Sequence, residues 1–433
     1  MDLLTANDRA GEYPSSYYAA VNPLPDPLPP AEGARTADVA VIGGGFTGLS
    51  AALHLARAGY DVALLEASRV GFGASGRNGG QVGTGQRVDQ DALERMVGRE
   101  DAHALWQLGL DAVALVRLIA ADPQVATPFH EGIVHADHKP GFVAEAHAYA
   151  EKLARDYDYP HMRPLSRDAL RAVVASDAYH GGVLDAGAGH VDPLALALGL
   201  ARLARAAGAR IHETSRVLRI APGDPATVET DRASLRAAHV VLACNGYLGG
   251  LAPEVGARVM PINNFVAATE PLGAERARAL IAGNRAVADS RFVVNYFRLS
   301  EDTRLLFGGG ETYRYRFPAD IAGLVRKRML AVFPQLDGVR IDHAWGGTLA
   351  ITATRLPHVA RLRGNVLSFS GYSGHGVALA TLAGRIAAEA IAGQAERFDL
   401  MARAPTPRFP GGALLRNPLL VLGMLWFSLR DRL

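Results

Sequence analysis

The residues best suited to bind a ligand form a glycine-rich group near the start of the chain. In "VIGGGFTGLSAALHLARAGYDVALLE", Gly43, Gly45 and Gly48 have the spacing G-x-G-x-x-G between an apolar run and a helical pattern. The first glycine allows a tight turn, the second lets backbone approach a pyrophosphate, and the third lets helix and strand pack closely. Glu66 ends the next apolar run, 18 residues after Gly48, where a carboxylate can bind ribose hydroxyls. The pattern predicts a dinucleotide site.

A second polar stretch follows the acid directly. The segment "EASRVGFGASGRNGGQ" is rich in glycine, and Arg77, Asn78 and Gln81 offer hydrogen bonds within it. Such a loop lets backbone approach a large flat ligand, although a plain surface loop has a similar composition. The glycine motif alone does not separate NAD from FAD, and the loop favours FAD.

Regular elements must hold these motifs in place. The proline-rich segment 22–30, "NPLPDPLPP", predicts an extended surface leader before the first strand. Apolar spacing predicts helices at 91–120 and 193–209, strands at 211–220 and 237–246, antiparallel strands within 259–307, and a strand, turn and helix at 365–393. Nucleotide-type segments therefore lie at the start, middle and end of the chain, with antiparallel segments between them.

This order predicts an α/β fold with a discontinuous Rossmann-like FAD-binding domain and an inserted substrate domain built on an antiparallel sheet. The expected segments are a leader at 1–35, the FAD-binding domain at 36–120, 185–255 and 345–400, the substrate domain at 121–184 and 256–344, and an apolar tail at 401–433.

Composition narrows the class of protein. A chain of 433 residues is too long for one simple hydrophobic core, which favours two domains or one large composite domain. With 45 basic and 43 acidic residues, the net charge of +2 does not suggest a nucleic-acid partner. The single cysteine, Cys244, excludes an internal disulfide framework, and the histidines show no metal-binding spacing.

The two termini bear on localisation. The N-terminus lacks the apolar core of a signal peptide, and no apolar run reaches the roughly 20 residues needed to span a bilayer, so a cytoplasmic protein is expected. The apolar run 418–429 is expected to dock on the chain's own surface or on another subunit. A helix lying on a membrane surface, which would make the protein peripheral to the membrane, is the alternative.

At this point the sequence resembles a known family. The opening motif and its loop, together with "GHVDPLALALGLARLA", "LLFGGGETY", "WGGTLAITATRLPHVARL" and "FSGYSGHGVALATLAGRIAAEAI", resemble the FAD-dependent D-amino-acid oxidase superfamily, most closely its gamma-glutamylputrescine oxidoreductase branch. The resemblance covers nearly the whole chain. It implies an FAD cofactor and oxidation of an amine CH–NH to an imine, which water hydrolyses.

The resemblance also assigns cofactor contacts, residue by residue. They are Gly43, Gly45, Phe46, Thr47 and Gly48 at the pyrophosphate, Glu66 and Ala67 at the adenosine ribose, Ala74, Ser75, Gly76, Arg77, Asn78, Gly79, Gly80 and Gln81 along the ribityl chain and flavin, Val217 at the adenine, and Gly371, Tyr372, Gly374, His375, Gly376 and Val377 at the flavin's pyrimidine edge.

Two features depart from parts of this superfamily. The segments that carry a covalent flavin tether in some relatives hold no Cys or His here, so non-covalent FAD is expected, and Cys244 is expected to be a small core residue. Some relatives use a Lys above the flavin to activate oxygen. The three lysines of this chain all lie outside "VVNYFRLSEDTRLLFGG", so either oxygen or another electron acceptor is compatible with the sequence.

The substrate-side candidates are Tyr296, Arg298, Trp345 and Arg355. Tyr296 and Arg298 are two residues apart in a strand pattern, so both side chains are expected on one face. The guanidinium of Arg298 either binds a substrate carboxylate, such as that of a glutamyl group, or is solvated on the outer face. Trp345 is more typical of a core than of a pocket wall.

His375 is the last catalytic candidate. A helix is expected just after Gly376 with its positive N-terminal end toward the flavin. His375 either donates a hydrogen bond there, most effectively when protonated, or only caps the helix.

Two other functions stay open from the sequence. One is an oxidase or dehydrogenase of glycine, N-methyl amino acids or opines, and the other is a flavin-binding subunit without chemistry of its own.

Overall fold

The computed structural model describes residues 2–312 and 315–410, which form two β-sheets surrounded by helices. The strands are β1 (Gly33–Ile42), β2 (Val62–Leu65), β3 (Gln81–Val82), β4 (His130–Asp137), β5 (Met162–Leu165), β6 (Gly181–His190), β7 (Arg210–His212), β8 (Arg219–Ala221), β9 (Ala226–Glu229), β10 (Ala233–Leu242), β11 (Met260–Thr269), β12 (Ala286–Asp289), β13 (Tyr296–Leu299), β14 (Leu305–Thr312), β15 (Ile341–Ile351), β16 (His358–Arg361) and β17 (Val366–Ser370). The helices are α1 (Tyr17–Val21), α2 (Phe46–Arg57), α3 (Gln90–Val97), α4 (Arg99–Ala120), α5 (Pro140–Asp156), α6 (Arg167–Val173), α7 (Pro193–Ala206), α8 (Pro253–Gly256), α9 (Ala274–Leu280), α10 (Ile321–Val332), α11 (Gly376–Ile391) and α12 (Glu396–Arg403). The predicted apolar run 418–429 lies outside the described residues.

The first sheet has the order β16-β17-β10-β1-β2-β7, with the pair β8 and β9 attached to β10. From β17 to β7 all neighbours are parallel, whereas β16 pairs antiparallel with β17, β9 with β10, and β8 with β9. A parallel sheet must be covered by helices, and α2, α4, α7 and α11 contribute to the main core beside it. The predicted Rossmann-like FAD-binding fold is confirmed.

The second sheet has the order β15-β11-β14-β13-β12-β4-β6-β3, with β5 paired to β6, and is antiparallel except between β12 and β4. Its two faces differ because side chains alternate along each strand. Phe297 and Leu299 of β13 pack into a second core with α10, whereas Tyr296 and Arg298 point the other way, toward the loop that follows β2. The predicted shared face of these two residues is confirmed.

Two predicted elements are each divided in the structure. The helix expected at 91–120 becomes α3 and α4, because Gly98 between them has φ 82°, in the left-handed region that ends a helix. The strand expected at 211–220 becomes β7 and β8. Between them the backbone N–H of Ser215 donates to the carbonyl of Glu66, so the chain leaves the sheet there.

The leader 22–30 contains no helix or strand, as predicted, and leads into β1. The expected domain boundaries at residues 185 and 345 fall inside β6 and β15, which both belong to the second sheet. The domain limits stay a prediction. Helix α4 is long and apolar enough to cross a membrane by length and composition alone, but its apolar face lies within the main core.

Candidate functional site

The turn between β1 and α2 has the geometry that its glycines predict. Gly43 has φ 109°, and a Cβ there would lie 2.7 Å from the carbonyl oxygen of Ala243. A Cβ on Gly48 would lie 1.9 Å from the carbonyl oxygen of Gly43, so only glycine lets α2 pack this closely on the turn. The N-terminal end of α2, with its positive partial charge, is thereby fixed at the carboxyl end of β1.

Glu66 closes the site at the end of β2. Its carboxylate accepts hydrogen bonds from the backbone N–H groups of Gly44 (2.6 Å) and Ser68 (2.8 Å). Burial raises the pKa of Glu66 to about 7, against the lowering effect of these hydrogen bonds. The negative charge of Glu213 also raises the pKa of Glu66, and the carboxylate of Glu213 itself pairs with Arg69 at 2.9 Å.

A cavity opens between the carboxyl ends of β1, β2 and β10. It brings together seven of the residues predicted to bind the cofactor, namely Gly43, Gly45, Glu66, Ala67, Ala74, Ser75 and Val217. Cys244 also lines it, and burial raises the pKa of its thiol to about 12, so this cysteine is a poor nucleophile. The hydroxyl of Ser75 accepts from the backbone N–H of Phe46 at 3.0 Å, which ties the loop to the start of α2.

The loop 74–81 uses most of its side chains to hold itself together. Arg77 is buried and donates to the carbonyl of Phe72, to the carboxylate of Asp8 and to the carbonyl of Gly346. The side chain of Asn78 bonds within the loop, to Ala74, Ser75 and Gly80. Gln81 donates to the carbonyl of Val287, and the carbonyl of Gly79 accepts from Arg298. Gly76 is buried in the short 3₁₀ turn that begins the loop. Side-chain contacts from this loop to FAD stay a prediction.

The segment 371–377 adjoins the same site. The hydroxyls of Tyr372 and Thr47 lie 2.7 Å apart and join this segment to the first turn of α2. Helix α11 begins at Gly376, one residue before the predicted start, and His375 is its N-cap residue but makes no side-chain capping bond. Gly371 and Gly374 have positive φ, and Val377 is buried in the first turn of α11.

His375 is neutral at physiological pH. Its Nε2 lies 3.1 Å from the carbonyl oxygen of Thr84, and burial lowers its pKa to about 4, with a further lowering from Arg87. The protein around His375 therefore favours the neutral imidazole, and the role of His375 toward the flavin stays a prediction. The ring packs against Gly83, where a Cβ would lie 2.6 Å from it.

The substrate-side candidates separate into different surroundings. Arg298 is buried, and its guanidinium donates to the carbonyls of Gly79, Leu299 and Val191 and to the hydroxyl of Tyr18. It is therefore not solvated on an outer face, and these bonds favour a positioning role. Trp345 is buried and donates its indole N–H to the carbonyl of Arg77, as expected for a core residue.

Tyr296 and Arg355 differ from this pair. The hydroxyl of Tyr296 donates to Asn264 at 2.5 Å, and its ring covers Gly79. Arg355 is half-buried beyond the end of β15, with φ 66°.

Sequence reasoning missed two charged or titratable side chains beside His375. Arg87 and His135 are both exposed to solvent, yet the protein around them lowers both pKa values by desolvation. Both lie close enough to His375 for their positive charges to lower its pKa. Alternation along β4 was the available signal for His135, because Val134 and Ala136 point into the second core. No signal in the sequence singled out Arg87.

The residues around the cavity fit FAD. The glycine turn, the start of α2 and Glu66 supply the donors and the acceptor that a pyrophosphate and a ribose require. Nη2 of Arg77 is buried and, within residues 2–312 and 315–410, has no hydrogen-bond partner. No group of His, Cys, Asp or Glu able to hold a metal ion is found in the described part of the chain.

Comparisons with known proteins agree with this site. The family model for FAD dependent oxidoreductases, DAO, matches residues 38–390. Gamma-glutamylputrescine oxidoreductase of Escherichia coli (strain K12) is 42% identical over 423 residues, which cover 98% of this chain and 99% of that protein.

Two solved structures are similar in fold. Glycine oxidase from Geobacillus kaustophilus is 21% identical with a TM-score of 0.73, covering 87% of this chain and 100% of that one. L-proline dehydrogenase from P. horikoshii is 21% identical with a TM-score of 0.69, covering 84% and 94%. As the motifs of its sequence predicted, the chain belongs to the DAO family of FAD-dependent oxidoreductases.

Proposed function

We propose that this oxidoreductase converts the primary amine of gamma-glutamylputrescine, or of a closely related amine, to an imine that water hydrolyses to an aldehyde and ammonia. The observation that carries the proposal is the 42% identity, over nearly the full length of both chains, to a protein named for that substrate. FAD, when bound, supplies the two-electron acceptor.

The chain's own residues must position the amine and keep it neutral. In a protonated amine the nitrogen lone pair is used in an N–H bond and cannot form the C=N bond. Burial lowers the pKa of His135 and that of His375, so the protein favours the neutral form of both imidazoles. The positive charge of Arg87 lowers both pKa values further.

The test measures the anaerobic reduction of the bound flavin, which is monitored through the loss of the flavin's visible absorbance. The panel contains gamma-glutamylputrescine, N-acetylputrescine, putrescine, glycine, sarcosine and an opine. We expect gamma-glutamylputrescine to reduce the flavin fastest. Faster reduction by glycine or sarcosine would replace the substrate assignment, and a flavin that no amine reduces would favour a flavin-binding subunit without chemistry.

The electron acceptor, the cytoplasmic location and a contact through the C-terminal residues stay predictions. Reoxidation of the reduced protein by air, compared with reoxidation by an artificial quinone, distinguishes oxygen from another acceptor.

A further inference from the structure

The N-terminal residues 2–13, called the strap below, lie along the cofactor cavity. The carboxylate of Asp2 pairs with the guanidinium of Arg216, which itself lines the cavity. Leu4 lines the same cavity, and its backbone N–H donates to the carboxylate of Asp2 at 3.1 Å. The start of the strap is therefore anchored to the cavity wall and contributes an apolar side chain to it.

Two hydrogen bonds join the other end of the strap to the cofactor-binding fold. The backbone N–H of Gly11 donates to the hydroxyl of Ser68 at 3.3 Å, and the hydroxyl of Tyr13 donates to the carbonyl of Val70 at 2.9 Å. Both acceptors follow Glu66 in the segment that leaves β2 and lines the cavity further on. The strap thus packs on the segment that forms part of the cavity.

The side chain of Asn7 joins the middle of the strap to the second sheet. Its amide N–H donates to the carbonyl of Tyr315 at 2.8 Å, and its carbonyl oxygen accepts from the backbone N–H of Phe317 at 2.7 Å. The ring of Phe317 packs edge-on against Phe265 of β11, with ring centroids 5.6 Å apart. Because the strap has partners beside both sheets, its path along the cavity is fixed by specific contacts.

The two leucines of the strap face different spaces. Leu4 is half-buried and lines the cavity that contains Glu66 and Val217, the residues predicted to meet the ribose and the adenine. Leu3 lines a neighbouring cavity and not this one. When a ligand covers an apolar side chain that is partly open to a cavity, apolar surface is removed from water and the complex is stabilised. Leu4 is placed to make such a contact with FAD.

We infer that the strap is part of the cofactor site, that Leu4 packs on the adenosine half of bound FAD, and that the strap opens before FAD leaves. Its two ion pairs differ in strength. The side chains of Asp2 and Arg216 are 35% and 47% exposed, so this pair is weak. The pair between Asp8 and Arg77 is buried, and breaking it is costly. Opening therefore begins at Asp2 and is limited at Asp8.

The rate of FAD release from the loaded protein tests the contact of Leu4. In Leu4→Ala we expect release, followed by the rise in flavin fluorescence on dilution, to be about 5- to 30-fold faster, because half of a leucine's apolar contact is lost. Leu3→Ala makes the same change in the neighbouring residue and should stay within about twofold of wild type. Asp2→Asn weakens only the exposed ion pair and should accelerate release by less than about fivefold.

Hydrogen–deuterium exchange tests the coupling between the strap and the cofactor. A ligand that contacts the closed strap must stabilise that closed state, so backbone amides of residues 2–13 should exchange more slowly with FAD bound than without it. Helix α6, whose Leu170 packs in the second core, is the internal control and should change less than the strap.

Each outcome decides for or against the strap. Equal rates of FAD release from Leu4→Ala and Leu3→Ala, or exchange in the strap that FAD leaves unchanged, would overturn the inference. If Leu4→Ala does not fold, exchange in the wild-type protein decides. Neither measurement uses an amine, so a failure of the proposed reaction leaves the test of the strap intact.

Discussion

The buried ion pair between Asp8 and Arg77 gives a quantitative test of how the N-terminal segment supports the cofactor site. Nη1 of Arg77 lies 2.9 Å from the carboxylate of Asp8, and the two side chains are only 1% and 10% exposed. Replacing Asp8 by Asn keeps the shape and removes one charge. The guanidinium then remains buried without its counter-ion.

The expected loss follows from the partners that remain. Breaking a buried ion pair by removing one partner costs about 3–5 kcal/mol. Here the carbonyls of Phe72 and Gly346 still accept from Arg77, and the Phe72 ring lies 4.4 Å from the guanidinium. We therefore expect Asp8→Asn to lower the free energy of unfolding by about 2–3 kcal/mol, below the full penalty for an uncompensated buried charge.

The same segment supplies a matched control. Arg9 and Glu12 form an ion pair at 4.0 Å with side chains that are 86% and 61% exposed, so Glu12→Gln should cost less than about 0.5 kcal/mol. The measurement is urea-induced unfolding at a fixed FAD concentration, followed by tryptophan fluorescence and by FAD release. If Asp8→Asn and Glu12→Gln lose the same stability, Arg77 is solvated and the reasoning about its burial fails.

Four further predictions concern the cofactor site. Gly45→Val should abolish FAD binding, measured by visible absorbance after purification, because a Cβ there would lie 2.8 Å from the hydroxyl of Ser75; normal flavin content would contradict this. Because the pKa of Glu66 is raised, protonation of its carboxylate stabilises the folded protein without FAD. This contribution to the free energy of unfolding should be complete below about pH 4.5 and should be lost as the pH rises through about 7. Glu66→Gln should remove this pH dependence of unfolding, and an unchanged profile would assign it to other groups. The reduction potential of His375→Gln should have the same pH slope as wild type from about pH 6 to pH 8, because a pKa of about 4 leaves the imidazole neutral there. Acid precipitation should release FAD into the supernatant, and yellow colour that stays with the pellet would reveal a covalent tether.

The cofactor half of the site could be predicted from the sequence because its geometry is local. Gly43, Gly48 and Glu66 act through one turn, one helix and two adjacent strands, so their spacing carries the structural information. The start of α11 was predictable for the same reason, since the turn and the helix are consecutive. Motif spacing therefore predicts structure over short stretches of consecutive backbone.

The substrate side could not be predicted to the same depth, because its environment depends on distant contacts. Period-2 spacing placed Tyr296 and Arg298 on one face, but it could not show what that face meets. Arg298 bonds to the carbonyls of Gly79 and Val191, which lie 219 and 107 positions away in the chain. The pKa of His375 likewise depends on Arg87 and His135, which come from separate parts of the chain.

Arg298 shows why a buried guanidinium favours structure over substrate binding here. Its Nε donates to the carbonyl of Gly79 in the loop after β2, its Nη1 to the carbonyl of Leu299, and its Nη2 to the carbonyl of Val191 and the hydroxyl of Tyr18. These bonds join the second sheet to the loop after β2, to the start of α7 and to the leader, and the hydroxyl of Tyr18 in turn donates to the carbonyl of Asn78. A carboxylate could reach this guanidinium only by displacing those acceptors, and each displaced carbonyl would be left buried without a donor at a cost of about 1–3 kcal/mol.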